Sequence, residues 1–261
     1  MNLQSWTLIT GASEGLGVEF ARIAAAEGRN LILTARSEEK MNALAQELRG
    51  DAGDVVVIPA DLNDPGEAER LWQQATDGRR IDMLVNNAGL GSHGDFADGQ
   101  NWIRELTSIN VNITALSLLM KKAIPHMQAG GGGRIMNVAS VAGFMPGPNM
   151  AVYHATKAYV LSLSEAAAEE LRGTGVTVTA VCPGATATAF FDAADMHGVG
   201  LLKLSRPMSA RRVAEIGWAA TLRGRRVVVT GMLNKLLAFS PRISPRRVTS
   251  FVTGKIMGKG F

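Results

Sequence analysis

The stretch Trp6-Thr7-Leu8-Ile9-Thr10-Gly11-Ala12-Ser13-Glu14-Gly15-Leu16-Gly17-Val18-Glu19-Phe20 decides the fold. Trp6–Thr10 is a short apolar, β-branched run, which predicts a strand. Three glycines follow within seven residues, and then a helical pattern opens over 15–27. Glycines at such a turn remove the side chains that would keep a pyrophosphate from the backbone N–H groups. The helix N-terminus adds partial positive charge. Strand, glycine turn and helix in this order predict a phosphate cradle made by Gly11, Ser13, Glu14, Gly15, Leu16 and Gly17.

Outward from this unit the same alternation repeats. Strands are predicted at Trp6–Thr10, Asn30–Ala35, Asp54–Ala60, Ile81–Asn86, Arg134–Ala139, Val176–Cys182 and Arg226–Thr230. They are apolar on both faces, as buried parallel strands are. Helical patterns lie between them near 15–27, 37–49, 64–77, 99–128, 151–173 and 209–222. This predicts an α/β fold of Rossmann type, a doubly wound seven-stranded parallel sheet with helices on both faces. Residues 1–231 read as one catalytic domain holding both cofactor and substrate sites, and 232–261 as a basic amphipathic extension. Gly184–Pro207 shows no clean helical stripe and is expected to form a lid or pocket wall beyond a strand's carboxyl end.

Composition narrows the class. The chain has 261 residues, 46% hydrophobic and 19% charged, which excludes wholesale disorder. One cysteine, Cys182, excludes an internal disulfide and a multi-cysteine metal site, and no metal is expected. Cys182 is read as a small buried hydrophobe. No secretory leader is read at Met1, and no apolar stretch is long enough for a membrane span, so the expected compartment is the cytoplasm. The net charge of +4 is uneven: Leu201–Phe261 carries 13 Lys/Arg and a single acid, Glu215.

Two further patterns carry chemistry. The second strand ends Leu33-Thr34-Ala35-Arg36, with no acid to accept hydrogen bonds from an adenosine ribose. Arg36 is instead suited to a 2′-phosphate, which favours NADP(H) over NAD(H). Tyr153-His154-Ala155-Thr156-Lys157 opens a helical run, and positions i and i+4 share a face. An ammonium beside a phenol favours the phenolate and tunes Tyr153 for proton transfer. Ser140, 13 residues earlier at a strand end, is placed to hold a substrate oxygen. His154 reads as a pocket-lining or satisfied surface residue ahead of a second base. The other tyrosine, Tyr159, has no lysine four residues on.

On these residues the chain resembles the short-chain dehydrogenase/reductase family, from Thr7 to about Gly231. Thr10–Gly17 is similar to the family's T-G-x-x-x-G-x-G, Asn86-Asn87-Ala88-Gly89 to its N-N-A-G, and Pro183-Gly184 with Thr188 to its P-G-x-x-x-T. The resemblance implies that Asp61 and Leu62 hold the adenine ring, and that Asn87, Ala88 and Gly89 line the cofactor. It implies that Pro183, Gly184, Thr186 and Thr188 approach the nicotinamide. Asn110, Ser140, Tyr153 and Lys157 complete the implied catalytic set, with Asn110 holding a water and Lys157 also binding the nicotinamide ribose. The implied activity interconverts a small-molecule carbonyl and its alcohol, in a homodimer or homotetramer joined through the helices over 99–128 and 151–173.

Substrate walls are expected from His93, Phe144, Met145 and Phe190, bulky and largely apolar, which points to a hydrophobic ketone or aldehyde. A 3-oxoacyl thioester is the alternative substrate, its acidic carrier drawn to the basic C-terminal region. An NADPH-sensing regulator and a peripheral membrane scaffold are the non-enzymatic readings. Within 232–261, apolar residues recur at helical spacing between cations. Packing on the domain or on a neighbouring subunit is the expected role, and weak association with an anionic membrane surface the alternative. Nucleic acid is not an expected partner, since no aromatics interleave with the cations.

Overall fold

A computed structural model of the chain describes residues 5–188, 194 and 207–258. The strands are β1 (Ser5–Thr10), β2 (Asn30–Thr34), β3 (Val55–Val57), β4 (Arg80–Asn86), β5 (Gly133–Val138), β6 (Val176–Cys182), β7 (Thr186–Ala187), β8 (Met208–Ser209) and β9 (Val227–Val229). The helices are α1 (Gly15–Ala26), α2 (Glu38–Leu48), α3 (Pro65–Thr76), α4 (Trp102–Ile109), α5 (Leu116–Ala129), α6 (Ala151–Glu170), α7 (Ala210–Leu222), α8 (Met232–Phe239) and α9 (Arg246–Met257). Seven strands form one parallel sheet in the order β3-β2-β1-β4-β5-β6-β9, and β7 pairs with β8 apart from it.

Strand alternation builds two cores. Leu8, Ile32, Leu84 and Ile135 face one layer of helices, with Leu71 of α3, Leu119 of α5 and Val160 of α6. Their neighbours Ile9, Leu31, Met83 and Met136 face the other, with Phe20 of α1, Leu44 of α2 and Trp218 of α7. Both faces of the sheet are therefore covered, which is why the strands read as continuous apolar runs. The edge strands are shorter than the sequence predicts. β3 keeps only three ladder residues, although Ile58 and Ala60 still donate to Leu33 and Ala35 at 3.0 and 3.1 Å.

Local signals set several helix starts. Ser37 caps α2, accepting from the Lys40 N–H at 3.4 Å. Asp64 caps α3, accepting from Gly66 at 2.8 Å, with Pro65 at the first helical position. The long helix predicted over 99–128 is interrupted: α4 passes into α5 through a π-helical stretch, Asn110–Ala115. Extra residues per turn rotate the side chains that follow, and such bulges are frequent at functional sites.

Sheet order reverses between β1 and β4. The loops leaving the carboxyl ends of β1, β4, β5 and β6 thus gather at one edge, over the crevice that open α/β sheets use for ligands.

Candidate active site

The glycine turn is held by the loop after β4. Thr10 Oγ1 accepts from the N–H groups of Asn87 and Ala88, both at 3.0 Å. The Asn87 amide donates back to the carbonyls of Thr10 and Gly11 at 2.9 and 3.1 Å. Gly11 and Gly15 have φ of 65° and 58°, the region that favours glycine. A Cβ on Gly17 would stand 2.0 Å from the Gly11 carbonyl oxygen, and one on Gly11 2.9 Å from the Ala88 Cα. No side chain of Glu14 caps α1, so the first-turn N–H groups of α1 are left to a ligand at that edge. Ser13 and Leu16 are half-buried in the turn. These features fit the pyrophosphate of a dinucleotide.

Glu14 would repel phosphate, but its carboxylate is paired with Lys40 on α2, a partner the sequence reading did not identify. Arg36 stands exposed after β2. Asp61 is exposed after β3, accepting from the Asn63 N–H at 3.1 Å, while Leu62 is buried in the core.

The second half of the site is assembled by α6 and the loop after β5. Ser140 caps the turn Val141–Phe144 by accepting from Ala142 N–H at 3.1 Å, and its hydroxyl reaches the Pro183 carbonyl at 3.4 Å. The same hydroxyl is hydrogen-bonded to Tyr153. Lys157, one turn on, donates to the Val138 carbonyl at 2.8 Å and lies 5.8 Å from the centre of the Tyr153 ring. Its Nζ would be 3.2 Å from a Cβ on Gly89, so glycine there keeps room beside the ammonium. Beneath these groups the Asn86 amide donates to Asn137 at 2.9 Å and Asn137 donates to Ser164 at 2.8 Å, a buried chain tying β4, β5 and α6.

Burial dominates the electrostatics. It pushes the Tyr153 phenol up to about 12, with Ser140 pulling the other way. It pushes the Lys157 ammonium down to about 8, and the Cys182 thiol up to about 12. In the cofactor-free fold, desolvation is the largest influence on the phenol, and Lys157 stands one helical turn away with its ammonium 5.8 Å from the ring centre. Cys182 is fully buried, as expected of a small hydrophobe. His154 is buried too, its Nδ1 donating to the Met145 carbonyl at 2.8 Å, and burial lowers its pKa. It pins the Met145 loop from a buried position, not from the surface.

Asn110 does not join this cluster. Its amide donates to Asn63 at 3.2 Å. Asn112 is the asparagine brought to the site: Oδ1 accepts from the Leu90 N–H at 2.9 Å, and Nδ2 donates to the Leu90 carbonyl at 2.8 Å and to Thr156 at 2.9 Å. The π-helical stretch around the two residues sets their directions. Counting along a regular helix does not separate the two residues, because the π-helical stretch Asn110–Ala115 changes the rotation between them and α5.

Around the cleft, Pro183 is buried and Gly184 is covered by the side chain of Asn234 from α8. Thr186 donates to the Gly184 carbonyl at 3.0 Å, and Thr188 lies against Gly15. Phe144 packs on the core and Met145 is half-buried beside it. His93 Nε2 donates to the Met257 carbonyl of α9 at 2.8 Å, so it ties the loop after β4 to the end of the chain. Phe190 lies outside the described residues. Among the described residues, no group of three or more His, Cys, Asp or Glu could hold a metal ion.

The chain belongs to the short chain dehydrogenase family, whose profile matches residues 5–197. It is 38% identical to the ketoacyl reductase HetN of Nostoc sp. over 68% of its length, spanning 62% of that relative, less than two thirds. It is 36% identical to the 7beta-hydroxysteroid dehydrogenase of Collinsella aerofaciens, over 72% of this chain and 73% of that one. A short-chain dehydrogenase from Sphingobium yanoikuyae solved with NADPH superposes with a TM-score of 0.81 at 32% identity, covering 92% and 93% of the two chains. One from Burkholderia phymatum solved with NAD gives 0.79 at 25% identity, covering 90% and 92%. The protein is thus an NAD(P)-binding oxidoreductase of this family, acting on CH–OH groups.

Proposed function

We propose that the protein is an NADP(H)-dependent reductase of a hydrophobic ketone or aldehyde. The observation that carries this reading is the Ser140–Tyr153–Lys157 cluster set beside a glycine cradle whose one acid, Glu14, is neutralised by Lys40. Arg36, exposed at the end of β2, supports a 2′-phosphate at the same edge. A nicotinamide cofactor supplies the hydride in this chemistry. The chain's own residues do the rest. Ser140 holds the substrate oxygen, and Tyr153 gives its proton to that oxygen in reduction and removes it in oxidation. Lys157 supplies positive charge beneath the phenol and donates to the ribose hydroxyls. Asn112, bonded to Leu90 and Thr156, takes the water-holding place expected of Asn110. Phe144 and Met145 form an apolar wall, which suits a bulky carbonyl compound.

The test is a turnover screen with NADPH over aliphatic, aromatic and steroidal ketones, repeated with Tyr153→Phe. Turnover by the wild type, lost in the variant with NADPH affinity kept, is the expected result. Retained turnover in Tyr153→Phe refutes the proton-transfer role.

A 3-oxoacyl thioester substrate is the second reading, favoured by the ketoacyl reductase relative and the cation-rich C-terminal segment. Faster reduction of acyl thioesters than of free ketones would select it. A homo-oligomer is supported by exposed Trp102, Ile103 and Leu106 on α4 and Tyr159 on α6.

A further inference from the structure

The two C-terminal helices dock by one face and turn an apolar face outward. In α8, Asn234 and Ala238 point into the fold; the Asn234 side chain fills the space over Gly184 and donates to the Thr230 carbonyl at 2.6 Å. On the opposite side Met232, Leu233, Leu236 and Phe239 are 74, 57, 66 and 53% exposed. In α9, Thr253 and Met257 are buried and Gly254 rests on Pro148. Its outer stripe Val248, Phe251 and Val252 is 49, 67 and 46% exposed, and Ile243 between the helices 76%. A surface helix in water normally shows the reverse arrangement. Exposed apolar helix faces of this kind mark interaction sites.

The charge around the patch selects the partner. Lys235, Arg242, Arg246, Arg247 and Lys255 are all exposed among these apolar side chains, and no acid follows Glu215 in the sequence. A second copy docked by a two-fold axis would bring the same cations face to face. A nucleic acid would leave the apolar stripe against water. An anionic bilayer satisfies both halves of the surface, taking the apolar side chains below its headgroups and the cations among them. Neither helix is long enough to cross, at 8 and 12 residues, so the fit is to a helix pair lying in the interface plane.

We propose that α8 and α9 form a docking surface for anionic phospholipid membranes. Their contacts with Gly184, His93 and Pro148 fix its place on the edge of the sheet that carries Ser140 and Tyr153. The surface stands independently of the reaction, because membrane binding is read without turnover.

The experiment is flotation of the full-length protein with phosphatidylcholine vesicles and with vesicles holding about 30 mol% phosphatidylglycerol. Binding at least about tenfold stronger to the anionic vesicles, falling in about 0.5 M salt, is expected. Arg246→Glu with Arg247→Glu should weaken it at least about twentyfold. Phe239→Ser with Phe251→Ser should weaken it comparably, and thermal unfolding of both variants should match the wild type because all four side chains are exposed. Absence of binding to anionic vesicles, equal binding to neutral ones, or undiminished binding by the folded variants overturns the proposal. So does a wild-type oligomer that the serine variant dissociates without any vesicle binding, since the patch would then be a subunit interface.

Discussion

Asn112 and Thr156 are joined by a 2.9 Å hydrogen bond that ties the lead-in of α5 to α6 one residue before Lys157. Asn112 is 1% exposed and also exchanges two bonds with the backbone of Leu90. Leucine at this position would leave the half-buried Leu90 N–H and carbonyl without these partners, at up to about 1–3 kcal/mol each. Asn112→Leu is therefore expected to lower the melting temperature and to reduce kcat at least about tenfold. Asn110→Ala, which removes only the bond to Asn63, should leave both nearly unchanged. Calorimetry and initial rates on the two variants check this, and equal effects would refute the assignment.

Gly17 has no room for a methyl group. With the Gly11 carbonyl oxygen 2.0 Å from the position of a Cβ, Gly17→Ala forces the turn open. The displaced backbone is held at Thr10 by Asn87, so the strain spreads into the loop after β4. A cost of about 1–3 kcal/mol is expected, with loss of dinucleotide binding. Fluorescence titration with NADPH beside thermal unfolding measures both; unaltered affinity would mean the cradle lies elsewhere.

The features legible from sequence were those with short-range causes. Leu8 and Ile9 face opposite cores, so β1 reads as an unbroken apolar run, and all seven main strands announce themselves in this way. Ser140, Tyr153 and Lys157 were legible because helix spacing and a strand end place them without any long-range knowledge. The choice between Asn110 and Asn112 was not, because counting assumes a regular helix and the π-helical stretch changes the rotation. Three features depend on pairings between distant segments: Lys40 with Glu14, the His93 bond to Met257 and the half-docked tail. No local pattern encodes them.

Arg36→Ala tests the cofactor preference. Arg36 is exposed after β2, and a charge-assisted contact with a 2′-phosphate would contribute about 1.5–3 kcal/mol. NADPH affinity should fall at least about tenfold while NADH affinity holds. Lys40→Ala should weaken NADPH in the same direction by releasing the Glu14 carboxylate beside the phosphates. Tighter binding of NADH than NADPH by the wild type would overturn the preference.

Lys157 makes folding depend on pH in a direction that can be worked out. Its folded pKa is lowered to about 8 from 10.5, so between these values the unfolded chain holds a proton that the folded chain has lost. Where the unfolded state binds more protons, stability rises with pH. The burial cost of the ammonium is thus fully present below about pH 8 and relieved as pH rises toward 10.5. Tyr153 acts oppositely and later: its folded value of about 12 lies above the ordinary 10.0, so the unfolded phenol loses its proton first. Stability from that group falls from about pH 10 to 12. Lys157→Met removes only the first effect. In cofactor-free protein, the melting temperature of the wild type relative to Lys157→Met should climb between pH 8 and 10. A difference that stays flat across that range would show that the buried ammonium does not titrate there.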